Sequence, residues 1–159
     1  MNKQELLNEL REEGFSEEIL DAFSKVPRED FIPEGVKQFA YENNPLPIGP
    51  NATISQPYTI AFMLDLLEFN KLENKKPKIL EIGSGSGYVL ALISEISKNS
   101  EVYGIERIKE LIEKSRKVLE NNKNIKIFFG DGSKGLEKEK PFDRILVSAA
   151  ANEIPSELV

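Results

Sequence analysis

The stretch Ile79-Leu-Glu-Ile-Gly-Ser-Gly-Ser-Gly87-Tyr88 constrains this chain most: a short apolar run ends in glycines at alternate positions, Gly83, Gly85 and Gly87. Apolar residues followed by residues without a Cβ predict a buried strand, a sharp turn and a helix start, with bare backbone left open to a ligand. The spacing is E-x-G-x-G-x-G, whereas the dinucleotide fingerprint G-x-G-x-x-G sets its third glycine one residue later. Alone, the run fits a plain turn as well as a cofactor loop, so the downstream sequence has to decide.

Glu101-Val-Tyr-Gly-Ile105 reads as a second strand, and Glu106 follows it at 106 − 87 = 19 residues beyond the last glycine. In open α/β sheets ligands sit at the carboxyl ends of the strands, and an acid about 20 residues past the glycines reads the ribose hydroxyls. The alternative is a solvated Glu favoured by the dipole of the helix that follows. A third strand, Ile125 to Phe129, ends in Gly130-Asp131-Gly132. Asp131 therefore reaches the same sheet edge, as an acceptor for an adenine amino group or as the acid of an Asp-Gly turn. With the loop Gly83, Ser84, Gly85 and Gly87, the residues Glu106, Asp131 and Gly132 make a cofactor crevice, and the glycine spacing favours S-adenosylmethionine over NAD.

Composition removes several kinds of chemistry. The chain has no Cys and no His, so disulfides, thiolate or imidazole metal sites, Cys or Ser-His nucleophiles and an imidazole base are all excluded. A formal net charge of −6 argues against a nucleic-acid partner, which calls for a basic face. No apolar run approaches the ~20 residues that span a bilayer, and the polar N-terminus has no signal-peptide pattern, so the expectation is a cytoplasmic protein that does not enter a membrane. At 159 residues the expectation is a single domain, 1–159, with N-terminal helices and a loop in 1–57 and a Rossmann-like core in 58–159.

The expected order is helical first, then alternating. Leu6, Leu7 and Leu10 share a helix face, and Ser16 is an N-cap for a second helix carrying Ile19, Leu20 and Phe23. Pro27 to Pro57 holds six of the nine prolines, which predicts a long connecting loop of the kind that carries function. Tyr58 to Leu67 reads as a helix with Phe62, Met63, Leu66 and Leu67 towards the core. Strands near Lys78–Ile82, Glu101–Ile105, Ile125–Phe129 and Phe142–Val147, with helices near Tyr88–Lys98 and Leu111–Asn121, predict an α/β fold built on a doubly wound, mostly parallel sheet. Lys134 to Lys140 reads as a solvated turn.

Further motifs appear in order: Val26-Pro-Arg-Glu-Asp-Phe-Ile-Pro33, Leu46-Pro-Ile-Gly49, Ala52-Thr-Ile-Ser-Gln-Pro57, and Ala149-Ala-Ala151 with Ile154-Pro155. With the glycine loop and Gly130-Asp-Gly132 they resemble the protein-L-isoaspartate O-methyltransferases over nearly the whole sequence. The resemblance implies methyl transfer from S-adenosylmethionine to the free carboxylate of isoaspartyl residues in damaged proteins and peptides. It implies that Ser55 is the active-site residue, that Ala52, Thr53, Ile54 and Ser55 lie over the cofactor, and that Gly83, Glu106, Leu111, Asp131 and Gly132 contact it. No metal is implied. Relatives continue past Ile154-Pro155 through another helix and more strands, while this sequence ends at Val159. The expectation is a sheet lacking the family's C-terminal strands, with an exposed edge, a partly uncovered apolar face and a half-open site.

Such chemistry suits a chain without His or Cys. A free carboxyl group ionises with a pKa of about 4, so it is already nucleophilic at neutral pH. The protein must supply alignment and a dry site, so Ser55 is expected to orient the acceptor by a hydrogen bond rather than attack. Its structural alternative is to cap the helix near Tyr58. Two other readings are a methyltransferase with a different acceptor and a non-catalytic module that binds isoaspartyl protein or the cofactor.

Overall fold

The computed structural model describes residues 1–49 and 51–159; Pro50, within the expected loop, lies outside them. Helix α1, Lys3–Glu12, is opened by a capping box in which the Asn2 side chain accepts from the Glu5 amide and the Glu5 side chain accepts from the Asn2 amide. Helix α2, Glu17–Lys25, is capped by Ser16 as expected. Leu6, Leu7 and Leu10 of α1 and Ile19, Leu20, Ala22 and Phe23 of α2 are all buried.

The proline-rich segment is more ordered than a connecting loop. It holds two 3-10 turns, Arg28–Phe31 and Glu34–Phe39, then an antiparallel ribbon of β1, Leu46–Gly49, and β2, Ala52–Ile54. The prolines that suggested a loop sit where their missing N–H costs little: Pro27 and Pro33 precede the 3-10 turns, and Pro47 lies in a two-stranded ribbon with an open side. Asn51 makes the ribbon turn with a φ of 55°, a conformation Asn tolerates better than most residues.

Helix α3, Pro57–Leu66, starts with proline in its first turn. Its core face agrees with the expected one only in part: Leu67 is buried and Met63 packs against the core. Ile60, Ala61 and Leu64 are fully buried, whereas Phe62 is 48% and Leu66 is 63% exposed. Nearly every position of α3 is apolar, so periodicity alone does not choose the face; packing against the rest of the core does.

The central sheet contains β3, Lys78–Ile82, β4, Glu101–Glu106, β5, Ile125–Phe129, and β6, Arg144–Val147. All neighbours are parallel, in the order β5-β4-β3-β6. The chain winds one way from β3 through α4, Tyr88–Ile96, to β4, and through α5, Lys109–Val118, to β5, then crosses back to place β6 on the other side of β3. That reversal puts a topological switch point at the carboxyl end of β3, where open sheets bind ligands.

One sheet face carries Ile79, Val102, Ile127 and Leu146, packed with the helices into the main core. The other carries Leu80, Ile82, Tyr103 and Ile105. This second face is better covered than expected: Leu136, Phe142 and Leu158 pack against it, with Ile145 of β6 beside Leu80 in the same face, and all four central side chains are at most 5% exposed. Tyr103 also packs edge-on to the Phe142 ring at 5.4 Å, with the Lys78 ammonium 5.7 Å from its ring. The outer side of β6 has no partner strand among the described residues. No helix is long and apolar enough to cross a membrane, among the described residues.

Candidate active site

The turn after β3 is built on Gly83, whose φ is 79°; a Cβ added there would lie 2.8 Å from Ala149 Cβ and 3.3 Å from the Ala149 amide nitrogen. Any side chain at this position is strained and collides with the strand-end backbone beside it. The Gly83 and Ser84 amides both donate to the Ile105 carbonyl at 2.9 and 3.1 Å, pinning the loop to the end of β4. Gly87, with φ 84°, stands at the N-terminus of α4, and a Cβ there falls 2.7 Å from Leu119 Cδ1. Gly87 is a packing glycine, required for α4 to lie against the end of α5.

Glu106 completes the stitch. One carboxylate oxygen accepts from the Gly85 amide at 2.9 Å, the other from the Arg107 and Ile108 amides at 2.8 and 2.9 Å. The side chain is 6% exposed, yet each carboxylate oxygen has two lone-pair directions. The oxygen bonded to Gly85 therefore keeps one free for a hydroxyl donor. Asp131 is opposite and exposed. One of its oxygens accepts from the Ser133 amide and hydroxyl at 3.0 and 2.8 Å, bonds that hold its pKa below the usual carboxylate value, and the other oxygen is left to accept from a ligand.

Between these groups lies a crevice of about 530 Å³, within the range of sites that hold a nucleoside-sized ligand. Its floor is formed by the ends of β3, β4 and β6, and Ile48, Ala52 and Thr53 of the ribbon close one side. Bare glycine backbone, a carboxylate with a lone pair to spare and a second carboxylate further along line one crevice.

The sequence profile of the protein-L-isoaspartate(D-aspartate) O-methyltransferase family matches residues 1–159. The chain belongs to this family. The protein-L-isoaspartate O-methyltransferase of Ignicoccus hospitalis is 42% identical over 162 residues, covering 99% of this chain and 75% of that protein. The Dictyoglomus turgidum enzyme of the same name is 45% identical over 159 residues, covering 98% of this chain and 70% of its own length. Among solved structures, a Plasmodium falciparum family member in complex with S-adenosyl-L-homocysteine superposes with a TM-score of 0.83 at 29% identity, over 99% of this chain and 78% of that one. Another isoaspartate methyltransferase structure gives a TM-score of 0.88 at 27% identity, and this chain spans about half of it, 51%.

Within this family fold, the crevice gathers Ala52, Thr53, Gly83, Gly85, Glu106, Asp131 and Gly132. The other expected contacts lie elsewhere. Ile54 is a core residue at 4% exposure. Ser84 is buried with an unpartnered hydroxyl. Leu111 lines a neighbouring groove with Phe31, Ile48 and Ser86, and Gly87 packs against α5. Ser55 directly follows β2. It does not cap α3: the amide of Tyr58 is accepted by the Asn43 side chain at 2.9 Å, leaving the Ser55 hydroxyl free of that task.

Sequence reading overlooked Arg107, Ile108, Ser148 and Ala149, which also line the crevice. Their signal was positional, since each follows a strand end on the ligand side of a parallel sheet. Beneath them Glu81 is 1% exposed. Ser148 Oγ donates to one carboxyl oxygen at 2.7 Å, the other has no partner, and burial pushes the pKa up to about 8.

Proposed function

We propose that the chain, acting as one domain, transfers a methyl group from S-adenosylmethionine to the free carboxylate of isoaspartyl residues in damaged proteins and peptides. The observation that carries the reading is the facing pair of walls: a glycine and carboxylate crevice on the strand ends and Ala52 and Thr53 of the ribbon across it, with Ser55 directly after that ribbon. Family membership supplies the acceptor class, and a cytoplasmic setting belongs to the same proposal.

The cofactor supplies an electrophilic methyl on a sulfonium that is already a good leaving group. The acceptor carboxylate is ionised at neutral pH, so no general base is needed, consistent with a sequence that has neither His nor Cys. This chain's residues bind and orient. Gly83 and Gly85 admit the cofactor against backbone, Glu106 accepts from a ribose hydroxyl, and Asp131 accepts from the adenine amino group. Ser55 donates its hydroxyl to the acceptor carboxylate and aims one oxygen into the crevice. Positioning of this kind is worth ~7 kcal/mol or more in favourable systems. Because opposite charges neutralise as the methyl moves, the apolar side chains of Ile48, Ile82 and Ile105 along the crevice favour transfer by keeping water out.

The test is transfer of labelled methyl to an isoaspartyl peptide and to its aspartyl twin, with cofactor affinity measured on the same sample. Selective labelling of the isoaspartyl peptide supports the reading. Cofactor binding with neither peptide labelled refutes it and favours the binding-module alternative.

A further inference from the structure

The motif Val26-Pro-Arg-Glu-Asp-Phe-Ile-Pro33 has no part in the crevice, yet it contains the most unusual side chain of the molecule. Arg28, in the first 3-10 turn, is 0% exposed. None of the ion pairs among the described residues includes it. A guanidinium keeps its proton even when burial lowers its pKa, as it does here. A full positive charge is therefore enclosed without a counter-ion, an arrangement a structural core does better without.

Backbone carbonyls take the place of the missing carboxylate. Arg28 Nη1 donates to the Ala40 carbonyl at 2.9 Å and the Glu42 carbonyl at 3.3 Å; Nη2 donates to the Asn44 and Ser55 carbonyls, each at 3.0 Å. The planar fork thus ties the strap 40–44 to the residue expected to orient the acceptor. The strap grips the other side of that residue as well, because the Asn43 side chain accepts from the Tyr58 amide at 2.9 Å and donates to Glu9 at 2.7 Å. Phe31, at the end of the turn that carries Arg28, packs its ring 5.3 Å from that of Tyr88, the residue that closes the glycine motif. Arg28 is held relative to the cofactor wall and holds Ser55 relative to itself.

We propose that Arg28 is a positioning residue for the acceptor half of the reaction, fixing the Ser55 backbone so that its hydroxyl meets the acceptor carboxylate. Its unneutralised charge directly behind Ser55 also favours an anion at that point in a chain of net charge −6. The proposal rests on the functional reading given above.

The experiment compares wild type, Arg28→Lys, Ser55→Ala and the Arg28→Lys/Ser55→Ala double variant. Three quantities are read: S-adenosylhomocysteine affinity, kcat and KM for an isoaspartyl peptide, and amide hydrogen exchange. Lysine presents its donors from a single nitrogen and cannot reach four carbonyls with a planar fork. Arg28→Lys is expected to hold cofactor affinity within twofold and lower acceptor kcat/KM severalfold, by no more than Ser55→Ala does. Exchange should rise at 40–44 and 52–58 and stay unchanged at 79–82. The double variant is expected to be no worse than Ser55→Ala, since the same contact is lost once. Unchanged acceptor kcat/KM, cofactor affinity falling in parallel, or losses that multiply in the double variant would each overturn the proposal. If wild type labels no isoaspartyl peptide, the functional reading fails, and exchange still decides the clamp: unchanged protection at 52–58 in Arg28→Lys overturns it, and raised exchange supports it.

Discussion

The two walls of the crevice each bury an ionisable side chain with no partner of opposite charge, and they resolve the problem in opposite ways. Behind the N-terminal wall, Arg28 stays charged and is met by four carbonyls. Beneath the strand-end wall, Glu81 has one hydroxyl donor and one unpartnered oxygen, and burial raises its pKa to about 8. A carboxyl group can accept a proton and become neutral; a guanidinium cannot shed one. The strand-end wall is already rigid through its ladder of parallel strands, so it can hold a neutral acid passively. The N-terminal wall has only a short ribbon, and its geometry depends on a charged clamp.

If rigidity of the strand-end wall lies in its glycine turn, the largest effect comes from filling that turn. Gly83→Val places a branched side chain at a φ of 79° and drives its Cβ towards Ala149, 2.8 Å away. The expected result is loss of S-adenosylhomocysteine binding by more than ~100-fold together with ~2 kcal/mol or more of stability. Calorimetric titration and a denaturant melt check both. Retained affinity would mean that the cofactor is not held on this backbone.

Glu106 comes next. Glu106→Ala removes an acceptor for three amides and the acceptor proposed for the ribose. At about 1.5–3 kcal/mol for a hydrogen bond to a charged group, we expect cofactor affinity to fall ~10–100-fold, with acceptor KM affected much less. Equilibrium binding of S-adenosylhomocysteine measures the first and peptide kinetics the second. Equal damage to both would make Glu106 a scaffold residue for the entire site.

The contrast between walls also explains what the sequence disclosed. Strands β3, β4 and β5 were legible because Ile79, Val102 and Ile127 sit in short apolar runs followed by Gly83, Glu106 and Gly130, whose backbone or charge demands a turn at a strand end. The 27–57 segment was not legible in the same way. Its prolines resemble loop punctuation, while its order comes from side chain to backbone bonds such as Arg28 to Ser55 and Asn43 to Tyr58, which span 27 and 15 residues and leave no periodic trace. The buried face of α3 was hidden for a third reason. Ile60 and Leu64 on one side and Phe62 and Leu66 on the other are equally apolar, so only packing distinguishes them. Residue chemistry pointed to the proposed cofactor half of the site, and the proposal for the acceptor half rests on the family motifs.

On the N-terminal wall, Ser55→Ala gives a smaller and more selective effect. The hydroxyl is not the cap of α3, so stability should change by less than ~0.5 kcal/mol. Cofactor affinity should stay within about twofold, and acceptor kcat/KM should fall roughly tenfold, the worth of one hydrogen bond to an anion. Steady-state kinetics with an isoaspartyl peptide, beside a thermal melt, separate these outcomes. Loss of stability comparable to loss of activity would return Ser55 to a structural role.

The smallest effect tests the comparison most directly, because it depends on Glu81 being neutral where Arg28 is charged. The folded state holds the Glu81 proton more tightly than the unfolded chain, with a pKa of about 8 against an ordinary 4.5. More protons are then bound folded than unfolded across that window, so stability falls as pH rises from about 4.5 to about 8 and levels off above it. Glu81→Gln keeps the shape and an amide that can pair with Ser148, but it cannot ionise. The variant should therefore lack this component, and its Tm should gain on that of wild type by ~2–4 °C or more between pH 6 and pH 8.5. Parallel pH profiles for wild type and Glu81→Gln would mean that Glu81 is ionised when folded. The strand-end wall would then contain a buried charge as real as the one behind Ser55.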